Sequence, residues 1–416
     1  MVQMTLHHQT LKKKDAVCEW YQSKLNEVQI PIYSSYDIRD SGYKITNVDA
    51  NIYPAGFNNI CPTDKDNAPD LFAKYLQKHY CQKTAKILLV TEEHTQNPYY
   101  WENILTIKGL LEQAGKEVQV GFPRLMENPL VVKSATGKTI EIQSADISSD
   151  FVKKYKPDLV ISNNDFSQAH ESWARTFDLP INPPRELGWY QRKKSRYFKF
   201  YNQLVNEFAK IAQVDPFLLS IETEEFLNFD INSELSRHEL ADRVDAMISR
   251  LRLTYQERGL QQEPFVFVKN NAGTYGLAVI KVNSGAEVKE WSYKSRKKMK
   301  AAKGGRDVEE VIIQEGIPSI VSADGAAAEP VIYMVGSELA GGFLRTHGEK
   351  SSTESLNSPG AVYKRLCVSD LLIKAEGCPM ENTYGWTAIL GLLAIGYEAE
   401  EMKTIYKNYI RSPSQK

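Results

Sequence analysis

The sequence predicts an α/β protein of two or three domains, and three observations carry that reading. Between Lys86 and Ser162 short apolar strands alternate with helical stretches, the pattern of a parallel sheet covered by helices. From Pro264 to Lys281 two β-rich runs flank a glycine-containing turn, which reads as a hairpin. The chain has 416 residues, 42% of them hydrophobic, enough for several cores at about 100–200 residues per domain.

Taken in order, Lys12–Val28 carries the spacing of an amphipathic helix. Tyr33–Pro62 has few periodic apolar residues and many Asn, Asp, Tyr and Ser. It reads as a long irregular loop, uncommon in a compact domain and often functional. Arg39, Asn51, Asn58 and Asn59 together offer groups that suit an amino acid's carboxylate and amine; the plain alternative is a surface loop with Asx turns. Pro69–Gln82 then reads as helix, Lys86–Val90 as strand, Tyr100–Ala114 as helix, and Val118–Phe122 and Asp158–Ser162 as strands. The polar tips Thr91–Asn97 and Asn163–Asp165 fall at the carboxyl edge of that sheet, where open α/β sheets bind ligands.

Gly137-Lys138-Thr139 echoes the end of a phosphate-binding loop, but Val132 stands where that loop needs glycine and no helix pattern follows; it reads as the turn of a small hairpin. Ile181-Asn182-Pro183-Pro184 marks a boundary and divides the chain into 1–182 and 183–416. Glu186–Ala212 and Ser236–Arg258 are long helical patterns, the first with a basic patch that includes Lys193 and Lys194.

Phe265–Val268 is a compact strand that ends on Lys269. Gly273, Thr274, Tyr275 and Gly276 form a turn of little bulk, and Leu277–Val282 returns beside the first strand. Backbone N–H groups in such a turn approach phosphate oxygens closely, and the lysine adds a point charge; an ordinary hairpin with an exposed lysine is the alternative. Basic Lys294–Arg306 fits a solvated helix of a lid spanning about 260–316, with Gly304-Gly305 as its exit turn. Val311–Ile317 follows as a strand, Pro330–Val335 and Glu338–Leu344 pair around Gly336-Ser337, and Trp386–Ile410 closes the chain as a helix.

Composition narrows the function classes. Lys+Arg is 51 against Asp+Glu 52, which argues against a nucleic-acid partner. Five scattered cysteines suit a reducing compartment better than a disulfide framework. The polar N-terminus lacks the apolar core of a secretory signal, and the run Ala388–Ile395 is too short to cross a membrane. A cytoplasmic protein with no membrane partner is the expectation, and a homo-oligomer stays open.

Lys269 and its Gly-Thr-Tyr-Gly turn resemble the nucleotide-covering hairpin of ATP-grasp ligases. The resemblance implies a pre-ATP-grasp-like N-terminal α/β domain and then an ATP-grasp domain with a small lid. It implies ATP contacts from Lys269, Gly273, Thr274, Tyr275 and Gly276. Gln314, Glu315 and Ile317 would form the adenine hinge, and Lys193 or Lys194 would be a further phosphate ligand. Phosphoryl transfer needs positioning and charge neutralisation more than a protein nucleophile, and no Ser-His-Asp, Cys-His or HExxH arrangement is legible. A carboxylate–amine ligase working through an acyl phosphate fits, with Arg345 on the oxyanions. Magnesium needs oxygen ligands, and three candidates stand. Glu354 with Asn357-Ser358-Pro359-Gly360 is similar to the Glu-x-Asn-x-x-Pro-Gly run of D-alanine–D-alanine ligases, with one extra residue. The same stretch also resembles the Asn-containing loop of glutathione synthetases, with Arg345 in the arginine position, and the two registers give Asn357 different jobs. Glu329 is the third candidate.

Asp37-Ile38-Arg39, Lys44-Ile45 and Val48 through Asn59 resemble the N-terminal signature of a bacterial glutamate–cysteine ligase family, distinct from the ligases related to glutamine synthetase. The resemblance extends over nearly the full chain. It implies γ-glutamylcysteine formation from ATP, glutamate and cysteine, the first step of glutathione synthesis. The residues alone reach an ATP-using carboxylate–amine ligase. Alternatives are a glutathione-synthetase-like ligase using a dipeptide, or a non-catalytic nucleotide-binding regulator.

Overall fold

The computed structural model describes residues 2–80, 84–93, 96–272, 277–299, 308–367, 372–375, 378–404 and 406–410. It is a mixed α/β fold in which two six-stranded sheets and one four-stranded sheet do most of the organising.

The first six-stranded sheet runs Leu130–Lys133, Thr139–Ser144, Glu117–Phe122, Lys86–Val90, Leu159–Ser162, Ile181–Asn182. All its pairings are parallel except that of the first two strands. Ile87 to Val90 are fully buried, as expected of strands covered on both faces. Helix Pro98–Gln113 opens with Asn97 accepting the Tyr100 N–H and with proline in its first turn, a start signal that works because the first N–H groups lack helical partners. Gly137, at φ +82°, turns the small hairpin read from the sequence.

The second six-stranded sheet is antiparallel and overturns the irregular-loop expectation for Tyr33–Pro62. Tyr33–Asp40 and Ile45–Asn51 are strands at its centre and edge, in the order Val362–Leu366, Glu338–Thr346, Ala326–Val335, Tyr33–Asp40, Ile45–Asn51. The short strand Ser322–Ala323 pairs off this path. Tyr36 and Ile38 alternate with Asp37 and Arg39, so one face is apolar and the other charged. Gly42, at φ +80°, makes the turn, and its N–H donates to Asp40 Oδ1 at 2.9 Å. Because residues 33–51 pair within a sheet otherwise made from 322–366, the expected division at 182 runs through this sheet.

Helix Thr383–Glu401 covers the apolar face; it is buried nearly all round. A Cβ on its Gly391 would lie 2.6 Å from the Tyr36 ring, so glycine sets how closely helix and sheet approach. This helix stops at Glu401 rather than near Ile410. Helix Lys194–Ala212 begins later than the helical pattern from Glu186, and helix Pro62–His79 begins earlier than Pro69.

The four-stranded sheet runs Val279–Val282, Val266–Asn270, Val311–Glu315, Thr223–Phe226. With helix Glu234–Glu257 it forms a second hydrophobic core. Helix Tyr293–Met299 covers the start of the basic stretch; Lys300, Lys303, Gly304, Gly305 and Arg306 lie outside the described residues.

One cysteine expectation is corrected. Cys61 and Cys367 form a disulfide across 306 residues. No sequence spacing announces a pair that only the fold brings together. It joins the start of helix Pro62–His79 to the end of strand Val362–Leu366. Asp64 shares that buried cluster.

Candidate active site

The charged face of the central antiparallel sheet and the four-stranded sheet face each other across an open cleft. The central sheet contributes Asp37, Arg39, Asp49 and Glu329 with Val48, and the smaller sheet contributes Lys269 with Phe267, Val279, Gln314 and Glu315. Lys194, Leu277, Ile317, Ser355 and Asn357 complete the lining. An apolar slot with a few convergent charged groups is the ordinary form of a small-molecule site.

Register explains the central sheet's charged groups. Asp37 pairs with Asp49 across the hairpin, and Glu329 with Arg345 across the next pair. Arg39 Nε meets Glu329 Oε2 at 2.5 Å. Its other nitrogens donate to the carbonyls of Ser352 (2.9 Å) and Glu354 (2.8 Å). Arg39 therefore holds the 352–354 loop while lining the cleft. Arg345 donates from Nη1 to Asp37 Oδ2 (2.6 Å) and Glu329 Oε1 (2.7 Å), so Glu329 sits between two guanidinium groups. Burial alone would raise the Glu329 pKa, but Arg39 and Arg345 outweigh it and hold it below the ordinary value. For Asp37 burial wins over Arg345, and its pKa is raised.

Lys269 stands on the middle strand of the smaller sheet. Its Nζ donates to Gln314 Oε1 at 2.6 Å and to the Val48 carbonyl at 3.2 Å. Burial pushes its pKa down to about 8, with Asp49 opposing that shift and Lys194 adding to it. Lys194, at the start of its helix, is ion-paired with Asp49. Burial would raise the Asp49 pKa, yet Lys194 and Lys269 more than offset it. One strand, one helix start and one hairpin thus bring two lysines and two carboxylates together. Lys193 points elsewhere, to Glu310 at 2.8 Å.

The other expected residues separate. Asn51 accepts the N–H of Tyr53 at 2.9 Å, an Asx-type turn, and Asn58 donates to Asn59 at 3.1 Å; none of the three lines the cleft. Glu354 turns to its own loop, meeting Lys350 Nζ at 3.3 Å and accepting the Ser351 N–H at 2.9 Å, whereas Asn357 lines the cleft. Arg345 reaches the cleft's carboxylates but does not itself line it. Glu315 turns its carboxylate away to Lys44. Gly273, Thr274, Tyr275 and Gly276 lie outside the described residues. The residues that sequence reasoning missed as site groups are Asp37 and Asp49. The available signal was the alternation around Asp37 and Arg39 followed by a Ser-Gly turn, a hairpin pattern.

Among the described residues no helix is long and apolar enough to cross a membrane. A family model described as glutamate-cysteine ligase matches residues 7–399. A solved structure from Methylobacillus flagellatus, provisionally assigned as a γ-glutamylcysteine synthetase, is 31% identical. It covers 95% of this chain and 96% of its own, with a TM-score of 0.83. A glutathione synthetase-like effector from Globodera pallida matches at 12% identity over 87% of this chain and 84% of its own, TM-score 0.38. D-alanyl-alanine synthetase A from Vibrio cholerae matches at 13% identity over 77% and 82%, TM-score 0.30. A search of curated proteins finds no match.

Proposed function

The chain belongs to the glutamate–cysteine ligase family, and on that premise we propose that its cleft joins the γ-carboxylate of glutamate to the amine of cysteine at the expense of ATP, in the manner of an ATP-grasp enzyme with a small lid. The observation that carries the reading is the pairing, within one cleft, of Lys269 and Lys194 with an apolar slot and with carboxylates. The slot of Phe267, Val279 and Ile317 suits the adenine ring. The lysines suit the phosphates, where positioning and charge neutralisation are most of what phosphoryl transfer needs.

Magnesium fits best at Asp49, a hard oxygen ligand beside the two lysines; Asp37, its cross-strand partner, has both oxygens on Arg345. Asn357 is a further cleft-lining amide. Glu329 fits less well, since each of its oxygens meets a guanidinium, and Glu354 faces its own loop. When bound, the ion would neutralise phosphate charge. The chain's own groups do the rest. Lys269 and Lys194 orient the transferred phosphoryl group, Arg345 holds Asp37 and Glu329 in place, and Arg39 fixes the loop that closes the charged end. Glutamate's carboxylate oxygen attacks the γ-phosphorus and ADP leaves. The cysteine amine then attacks the acyl phosphate, and phosphate leaves.

Incubation with ATP, magnesium, glutamate and cysteine tests this. Phosphate release should require both amino acids, and ¹⁸O from the glutamate γ-carboxylate should appear in the phosphate. Label retained wholly in the peptide product would exclude the acyl phosphate. A requirement for a preformed dipeptide would move the protein to a different ligation.

A further inference from the structure

Beside the cleft lies a buried ion pair that the reaction does not use. Lys44 sits at the tip of the hairpin that carries Asp37 and Asp49. Its Nζ meets both oxygens of Glu315, at 2.8 and 2.7 Å, and the two side chains are 2% and 1% exposed. Nζ also lies 4.1 Å from the centroid of the Phe217 ring. The Glu315 carboxylate is fully engaged: Tyr255 Oη donates to it at 3.0 Å and the Glu222 N–H at 3.1 Å. Glu315 and Gly316 form the stretch between strand Val311–Glu315 and the cleft-lining Ile317. Gly316 is held as well. Its N–H donates to the Phe265 carbonyl at 2.8 Å, and a Cβ there would sit 2.2 Å from the Phe265 ring.

We propose that Lys44 is a positioning residue for the nucleotide: it clamps residues 315–317 so that their backbone, not the Glu315 carboxylate, faces the adenine, and it ties that edge to the hairpin bearing Asp37 and Asp49. The inference rests on the nucleotide reading given above. Physically, the pair is a poor source of stability, because desolvation offsets most of its Coulomb gain. What it does supply is a fixed distance between two sheets. Without Lys44 the 315–317 edge keeps its strand and the nearby bond from the Ile320 N–H to the Asp40 carbonyl, but loses its direct ion pair to the other half of the cleft.

The test is calorimetric titration of the full chain with ADP, alongside steady-state kinetics. Lys44→Met should weaken ADP binding and raise KM for ATP about tenfold, while KM for glutamate stays near wild type, a split that general destabilisation would not produce. Lys44→Arg should recover part of the affinity. Because Lys44→Met leaves a buried carboxylate unpaired, the double variant Lys44→Met/Glu315→Gln removes that charge; the new Oε1 accepts the Glu222 N–H and the new NH2 donates to Tyr255 Oη, so both contacts persist with the second reversed. It too should bind ADP weakly with a melting temperature near wild type. Wild-type ADP affinity in either folded variant, or equal rises in KM for ATP and glutamate, would overturn the role of Lys44. Absence of ADP binding by the wild-type chain would instead remove the nucleotide reading beneath it.

Discussion

The parallel sheet and the central antiparallel sheet both end in clusters of buried polar side chains, and the two clusters behave differently. At the carboxyl edge of the parallel sheet most of the groups satisfy one another, the buried Thr91 hydroxyl excepted. Asn164 Nδ2 donates to the Thr91 carbonyl at 3.1 Å, and Asn164 Oδ1 accepts the Phe166 N–H at 2.9 Å. Glu92 Oε1 accepts the Asp165 N–H at 2.8 Å, and Asn163 Nδ2 donates to the Pro54 carbonyl at 3.0 Å. On the charged face of the central sheet the groups also pair, but they line an open cleft with two lysines opposite. Polar burial alone therefore does not mark a site. What distinguishes one is that charges of both signs meet a space large enough for a ligand. The sheet edge where a ligand is expected by topology does not border this cleft.

That contrast can be broken in four ways, the largest effect first. Lys269→Ala should lower turnover about 10²–10³-fold, the scale of losing one transition-state donor, with melting unchanged; wild-type turnover would strip Lys269 of its role. Asp49→Asn should raise the magnesium concentration for half-maximal phosphate release about 10–100-fold, as disturbing a metal's ligand set does. Manganese binding followed by electron paramagnetic resonance should weaken in parallel, and an unshifted titration would return the ion to other ligands.

The third test uses pH. Lys269, with its pKa lowered from the usual 10.5 to about 8, loses its charge above pH about 8. ADP affinity measured without divalent cation should therefore weaken above that pH, and Lys269→Arg should abolish the dependence. Stability moves the other way. Between about 8 and 10.5 the unfolded chain holds this proton and the folded chain does not, so the Lys269 contribution to stability rises with pH. The smallest effect on catalysis is expected on the other side of the comparison. Asn164→Ala should cost about 1–3 kcal/mol of stability through unsatisfied buried groups and leave kcat where it was. A loss of kcat at normal stability would give the parallel sheet's edge a part in the chemistry.

The same contrast explains what was legible in the sequence. Strands such as Lys86–Val90 are readable because both faces are apolar and turn residues bound them. Lys269 is readable because it ends a strand before a glycine turn. Residues 33–51 are not, because several of their charged side chains are buried: Asp40, Lys44 and Arg39 are 2%, 2% and 4% exposed. Composition makes such a segment look like a loop. The carboxylates opposite the lysines, the Lys44–Glu315 pair and the Cys61–Cys367 bridge all depend on contacts between distant parts of the chain, which no local period encodes. Asn51, Asn58 and Asn59 show the reverse error: their type suggests ligand binding, and the fold spends them on local turns.

The hairpin's position has a consequence for how the chain is made. Tyr33 pairs with Val335, so the early strand leaves the ribosome well before the strand it needs. At about 5–20 residues per second, the intervening roughly 300 residues take on the order of tens of seconds to synthesise. Over that interval the hairpin's charged face has no partners from the late strands and its apolar face lacks the C-terminal helix. The parallel sheet, whose strands lie between residues 86 and 182, has all of them in hand far sooner. Assembly during synthesis therefore runs from the middle of the chain outward, and the cleft is among the last parts to form.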